Sequence, residues 1–489
     1  MKYILLFLCI TFQINAFAQT QIGQDINGEA AYDLSGTSIS LSADGKMVAI
    51  GAKGNDGNGS YSGHTRVYRI TDGIWSQVGD DIDGEASGDA SGTSVSLSAD
   101  GTIVAIGATG NNNLAGHVRV YRLTSGNWSQ LGSDIDGDKS EDYFGNSVSL
   151  SADGTVVAIG ARYNHGNGWA SGQVRVLEFK DGAWSQLGSD IYGEAELDNL
   201  GASVSLSADG TVVAAGAPGN DGNGDISGHV RVFKFTNGSW IQMGSDIDGE
   251  AAWDMSGTAV SLSADGTVVA IGAENNKVNN KSTGHVRVYK FTGTSWSQLG
   301  DDIDGDPGDK AGSSVSLSAD GTVVAIGAVR NDNNGSGSGN VRIYEYSGGS
   351  WSQVGVDING QEWNEKSGTS VSLSEDGTMV AIGSPGYAGN GIDSGRVRVF
   401  GTGKVVSIAD EKLSSLSFFP NPVKDLITIN NPQNLELIES SVYDVMGRLV
   451  QKVDLFNQNT IDLSNLRSAS YLVVITSKNG SITRKIIKD

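Results

Sequence analysis

The chain has 489 residues and carries 56 Asp/Glu against 33 Lys/Arg, a formal net charge of −23. So acidic a body repels nucleic acid and anionic membrane, and no basic patch in the sequence offsets it. Glycine is abundant (69 residues) while proline (6) and cysteine (1) are scarce, which suits many tight turns between short strands and excludes a disulfide scaffold.

Lys2 precedes an apolar run, Tyr3 to Ile10, and then Ala16-Phe17-Ala18, a small-x-small cleavage pattern. This predicts a signal peptide over residues 1–18, removed before Gln19. The run is too short to span a membrane, so no membrane span is expected. Cleavage removes Cys9, the sole cysteine, and with it any disulfide or thiolate metal site. Residues 411–489 hold nine Lys/Arg and eight Asp/Glu, so the acidity belongs to the body between signal and C-terminus.

That body is a repeat. Ser91-Gly-Thr-Ser-Val-Ser-Leu-Ser-Ala-Asp-Gly-Thr-Ile-Val-Ala-Ile-Gly-Ala108 has seven copies, their turn aspartates at 44, 100, 153, 209, 265, 320 and 376, spaced by 53 to 56 residues. A period near 50 marks a solenoid or propeller. Val95 and Leu97 alternate with Ser94, Ser96 and Ser98, and Asp100-Gly101 predicts a type I′ hairpin turn. One repeat predicts four strands, Val95–Ser98, Ile103–Ala108, His117–Leu123 and Trp128–Gly132, then a loop at Asp134-Ile-Asp-Gly137. The 1–2 and 3–4 turns are short, whereas the 2–3 and 4–1 connections are long and rich in Asn, Gly and Asp, as in Gly219-Asn-Asp-Gly-Asn-Gly224. In a meander the long connections gather on one face, where binding is expected.

Trp-x-Gln-x-Gly occurs only six times, at Trp75, Trp128, Trp184, Trp240, Trp296 and Trp351, and the repeat stops at its third strand after Phe400. The missing outer strand is predicted to come from Gln19–Ile26, closing the ring and placing Asp25 near Arg398. The expected fold is all-β: a seven-bladed β-propeller of four-stranded blades over residues 19–400.

Phe144-Gly145, Ser151-Ala-Asp-Gly154, Gly160-Ala161 and Gly216-Ala-Pro218 resemble FG-GAP repeats, which build the propeller of integrin α-subunit heads. The resemblance covers roughly residues 20–400 and implies the same fold. Calcium-binding members of that family carry several aspartates in the 1–2 hairpin; here the hairpin has one, so calcium is not carried over to it. Residues 401–415 read as a linker. Beyond it, Phe419-Pro-Asn-Pro-Val423, Val442-Tyr-Asp-Val-Met-Gly-Arg448, Ile461-Asp-Leu-Ser-Asn-Leu466, Tyr471-Leu-Val-Val-Ile475 and Arg484-Lys-Ile-Ile-Lys488 resemble, in that order, the type A C-terminal sorting domain of the type IX secretion system. This implies a small Ig-like β-sandwich over residues 416–489, the type IX secretion machinery as its partner, and a secreted or outer-surface location in a Bacteroidetes-type bacterium.

Candidate chemistry is sparse. His64, His117, His229 and His285 open the third strand of their repeats, and recurrence at the blade period reads as structural. His165 stands alone in a loop, and no nucleophile–base pair emerges, so no catalytic residue is assigned. Arg66, Arg119, Arg175, Arg231, Arg287, Arg342 and Arg398 recur with Asp25, Asp81, Asp134, Asp190, Asp246, Asp302 and Asp357, and read as Arg–carboxylate pairs between outer strands or as a ring about the axis. Asp81, Asp83, Glu85 and Asp89, and likewise Asp246, Asp248, Glu250 and Asp254, offer clustered oxygens suited to Ca²⁺, the one cofactor suggested; alternatively they are turn aspartates bonding their own backbone. Tyr32, Trp169, Trp253 and Trp363 stand in the long loops, where exposed aromatics suit stacking on sugar rings. The expected function is a binding or adhesion module for glycan or a surface protein. The alternative is a polysaccharide-active enzyme with its site on the long-loop face, against which the near-uniform repeats argue.

Overall fold

The computed structural model describes residues 19–278, 281–403, 416–431, 435, 437–444, 448–455, 459–477 and 480–488. The expected signal peptide and nearly all of the expected linker lie outside these residues. The chain divides into two units after Lys404.

In the first unit, seven antiparallel four-stranded meanders follow one another. The second blade is typical, with Ser91–Leu97, Ile103–Ala108, His117–Thr124 and Asn127–Gln130 in order from the inside outward. Every residue of Ile103–Ala108 is buried, because this strand is covered on both faces by neighbouring blades. Its glycine is dictated by that packing: a Cβ on Gly107 would stand 2.1 Å from the Gly145 carbonyl oxygen of the next blade.

Two expectations are corrected. The Asp-Gly hairpin is not type I′, because only its glycine has positive φ (72° at Gly101) while the aspartate does not. Gly101 N–H donates to Ser98 O, a type I turn closed by a left-handed glycine. Asp100 is held there because its Oδ1 accepts from Ser98 Oγ at 2.7 Å and Thr102 N at 2.9 Å. The type I′ geometry appears instead at the 3–4 turn, where Ser125 and Gly126 have φ of 52° and 87°. Secondly, Asp134-Ile-Asp-Gly137 is not all loop. The chain bulges after Gln130 and returns as the two-residue strand Ile135–Asp136, pairing with Val118 and His117, because Ile135 is drawn into the blade.

The serines of the first strand join the blades. Ser94 Oγ donates to Gly145 O of the next blade at 2.8 Å, and Ser96 Oγ accepts from Leu150 N at 3.0 Å. The second contact recurs at Leu206, Leu262, Leu317, Leu373, Leu41 and Leu97, returning to its start. A parallel chain of backbone bonds runs Ala43→Ala99→Ala152→Ala208→Ala264→Ala319→Glu375→Ala43 and also closes. Further out, the tryptophan of each Trp-x-Gln-x-Gly segment donates to the preceding blade, as Trp184 Nε1 does to Leu131 O at 2.7 Å. Its indole lies over Gly132, where a Cβ would stand 2.8 Å from Trp184 Cδ1.

The N-terminal segment is the outer strand of the last blade. Ile26–Asn27 pairs with Val397 and Arg396, Gln21 bridges to Phe400, and Gly401 N–H donates to Thr20 O at 2.9 Å. Asp25 pairs with Arg396 at 2.7 Å, in place of the expected Arg398. Arg396 is 1% exposed, also binds Glu365 at 2.7 Å, and stacks on Tyr387 at 3.8 Å. Arg396 occupies the position that elsewhere opens the third strand with His, Gln or Asn, so its guanidinium reaches Asp25 first.

The second unit contains a sheet of Ser417–Phe419, Leu426–Asn430 and Thr460–Asp462, and another ordered Leu449–Asp454, Leu437–Asp444, Ala469–Ser477, Gly480–Lys488. Their alternating apolar residues, including Ile427, Ile429, Val442, Ile461, Val473 and Ile475, share one core.

Trp184→Phe removes one inter-blade hydrogen bond and is expected to cost about 1 kcal/mol, whereas Trp184→Ala, which also empties the space over Gly132, should cost about 3 kcal/mol. Chemical unfolding of both variants measures the difference. Glu365→Ala leaves the Arg396 guanidinium short of its buried partner and is expected to cost about 3–5 kcal/mol. A melting temperature unchanged in Glu365→Ala would refute the role given to that pair.

Candidate functional site

The long loops are held from below by a repeated Asn–Asp pair. In the third blade, buried Asn164 donates through Nδ2 to Asp142 at 2.8 Å and accepts from Gly166 N at 2.8 Å. Asn167 Nδ2 then reaches Gly193 O at 2.8 Å, tying the 2–3 loop to the following 4–1 loop. With backbone polar groups satisfied this way, the loop crest carries residues whose side chains are free for other contacts.

All four sequence-designated aromatics lie on that crest: Tyr32, Trp169, Trp253 and Trp363 are 52%, 61%, 53% and 72% exposed. They are not gathered into one site. Trp169 borders a cavity of about 370 Å³ with Leu114, Glu141, Tyr143, Tyr163 and His165. There His165 meets Trp169 edge-on at 6.4 Å, Tyr143 meets Tyr163 edge-on at 5.1 Å, and the Arg162 guanidinium lies 4.6 Å from the Tyr163 ring centre. Trp363 borders a second cavity, of about 560 Å³, beside Arg330, Asp332 and Lys366. Tyr143 and Tyr163 are not singled out by the sequence and His165 reads there as a lone loop residue, although Tyr163-Asn-His165 stands where other repeats read Gly54-Asn-Asp56 or Gly219-Asn-Asp221.

The opposite, short-turn end has an axial cavity of about 160 Å³ ringed by the first-strand leucines and turn alanines, with Glu375 its one charged group. It offers little polar recognition.

The acidic loops are divided by the fold. Asp89 and Asp254 are buried: Asp89 accepts from Glu85 N (3.0 Å) and Ala86 N (2.9 Å), and Asp254 from Ala251 N (2.9 Å) and Asn276 Nδ2 (3.1 Å). They are the turn aspartates of the second sequence reading. Asp83 and Asp248 lie on the two-residue outer strands, pairing with His64 and His229 across the sheet. Asp81 accepts from Gln77 Nε2 at 2.6 Å and faces His64, while Glu85 crosses to the next blade and faces His117. Asp246 and Glu250 repeat this, facing His229 and His285 respectively. Burial lowers the pKa of His117 and His229 and, with Arg287 nearby, pushes that of His285 down to about 4.

The recurrent arginines divide similarly. Arg175 and Arg342 take the expected Asp190 and Asp357 at 3.0 Å, and Arg231 lies 3.6 Å from Asp246. Arg66, Arg119, Arg287 and Arg398 instead donate to main-chain carbonyls of the preceding repeat, at Asn27, Asp83, Asp248 and Asn359. They lie between blades, so no axial ring of charge exists.

Residues 417–489 match the family model of the secretion system C-terminal sorting domain. Such domains mark proteins exported by the type IX system, so the chain is secreted or held on the outer surface of a Bacteroidetes-type bacterium. Residues 134–177 match the FG-GAP repeat, in agreement with the propeller-like meanders. No curated protein is detectably similar to the chain. Among solved structures, U3-55K is 15% identical with a TM-score of 0.50, covering 78% of this chain and 100% of its own. A candidate 6-phosphogluconolactonase from Bacteroides uniformis ATCC 8492 is 12% identical with a TM-score of 0.47, covering 66% of this chain and 85% of its own. The likeness to U3-55K bears on fold alone. No helix among the described residues is long and apolar enough to cross a membrane.

Proposed function

We propose that the mature protein is a binding module of the cell exterior, with its ligand surface on the long-loop face and glycan as the ligand class. The observation carrying this reading is Trp169, 61% exposed at the edge of a cavity whose other walls include Tyr143, Tyr163, His165 and Glu141. Flat aromatic faces next to a carboxylate and an imidazole suit a sugar ring, which offers apolar C–H faces and hydroxyl edges together. Trp363, beside Arg330 and Lys366, is a second such place with the opposite charge. Binding of a surface protein is favoured by different residues: Leu197 and Ile392, 48% and 62% exposed, adjoin Trp169 and Tyr32 through backbone bonds. His165 lies against the Tyr163 carbonyl, the Ala170 N–H and the Trp169 ring, an arrangement that suits a binding wall.

A glycan array probed with the mature chain tests the reading. Trp169→Ala is expected to weaken binding roughly tenfold or more, the loss of one aromatic anchor, while the melting temperature stays within a degree or two, because the ring is mostly in solvent. Array signals that survive both Trp169→Ala and Trp363→Ala would exclude these loops as the binding surface.

A further inference from the structure

Four of the seven blade junctions bring together a histidine, a glutamate and an aspartate: His64 with Glu29 and Asp81, His117 with Glu85 and Asp134, His229 with Glu194 and Asp246, and His285 with Glu250 and Asp302. In each trio one ligand atom per residue lies within 4.8 Å of the others. The glutamate comes from the preceding repeat, the aspartate from the same one, and the histidine opens the third strand between them. In the His285 trio, Nδ1 is 3.8 Å from both Glu250 Oε2 and Asp302 Oδ2. His285 is 1% exposed, and this Nδ1, aimed at the two carboxylates, has no hydrogen-bond partner.

The three remaining junctions show that the trio is a unit. Where the histidine is replaced by Gln173 or Asn340, the glutamate is replaced by Asp138 or Asp306; where it is Arg396, the glutamate is Gln361. In all three an arginine cation takes the carboxylates directly. Arg175 binds Asp190 and Asp138, Arg342 binds Asp357 and Asp306, and Arg396 binds Asp25. In the four histidine junctions the arginine two residues on donates to main-chain carbonyl or amide oxygens (as with Asn27, Asp83, Gln242 and Asp248) and forms a looser ion pair with the glutamate, at 3.2–3.8 Å. Histidine and glutamate are thus exchanged together, although they lie 32 to 35 residues apart in sequence.

We propose that the His285 junction is a binding site for a divalent transition-metal ion of the zinc class, held by one imidazole and two carboxylates with a position left open; at His64, His117 and His229 the unpaired nitrogen is Nε2, and Nδ1 lies within 4.0 Å of carboxylates from one side of the junction only. Imidazole nitrogen excludes calcium as the preferred ion, and mixed nitrogen–oxygen sets suit zinc, nickel or cobalt. Bonds of about 2.0–2.2 Å set ligand atoms about 3.4 Å apart around a tetrahedral ion. The 3.8 Å spacings at His285 need a shift of a few tenths of an ångström, which Glu250, 44% exposed and only loosely paired with Arg287 at 3.8 Å, can make.

The test is equilibrium dialysis of the mature chain against Zn²⁺, counted by elemental analysis, with Co²⁺ absorption reporting nitrogen–oxygen coordination. The expected result is about one ion per chain, at His285 with Glu250 and Asp302. His285→Gln should bind none, while His117→Gln, altering a histidine whose unpaired nitrogen is Nε2, should retain the ion. If His285→Gln does not fold, Glu250→Gln, which alters an exposed side chain, should lose the ion in its place. Absence of Zn²⁺ from the folded wild-type chain, undiminished occupancy in His285→Gln or Glu250→Gln, or equal displacement by Ca²⁺ would overturn the proposal.

Discussion

The structure depends on how the innermost strands meet. Each blade presents its first strand to the axis, and that strand's outward backbone groups have no ladder partner within the blade. The hydroxyls of Ser40, Ser96, Ser149, Ser205, Ser261, Ser316 and Ser372 accept from a leucine N–H of the next blade, and the sequence of bonds returns to its origin. A buried N–H without a partner costs about 1–3 kcal/mol, so an open arc would leave a penalty at its end that closure removes. Serine alternating with valine and leucine is therefore a requirement at the blade junction, in a place where simple amphipathicity would put it in water.

Closure has consequences outward. It brings Leu373 against Ser316 and Leu41 against Ser372, so the last blade and the first meet as any other pair does. The last blade then lacks an outer strand, which Gln21 to Asn27 provides, fastened by the Asp25–Arg396–Glu365 cluster. Because every meander starts near the axis with the same polarity, the long connections share one end. Their crests are positioned by buried Asn–Asp pairs and left to vary. The aromatic cavity at Trp169 and the histidine trios belong to this end, yet they are built differently: the first from departures in one repeat, the second from contacts between repeats.

The repeat period and the offset of the tryptophans were legible because both are one-dimensional regularities, and they carried the all-β meanders and the outer strand from the N-terminus. Turn chemistry was not. Asp100-Gly101 reads as a type I′ pair, yet that geometry belongs to Ser125-Gly126; the difference lies in Asp100 accepting from Ser98 and Thr102, which holds it at negative φ. Asp134-Ile-Asp-Gly137 was read as loop because two residues are too few for a periodic signal, whereas burial of Ile135 makes them strand. The pairing of Asp25 with Arg396 was hidden because Arg398 occupies the recurrent position, while Arg396 replaces the residue class that faces this acid elsewhere. The acids near residues 81–89 looked like one cluster, but the junction assigns Asp81 to one blade and Glu85 to the next. Neighbours in sequence are there divided between two sites.

Hydrogen exchange on the intact mature chain tests the closed ring most directly. If Thr20 to Asn27 is a strand of the last blade, the Ile22 amide, which donates to Val399 O at 2.7 Å, should exchange as slowly as the amides of residues 397–401 with which the segment pairs. Exchange of residues 20–27 at the rate of an unprotected chain, with 397–401 still protected, would contradict closure through the N-terminal strand.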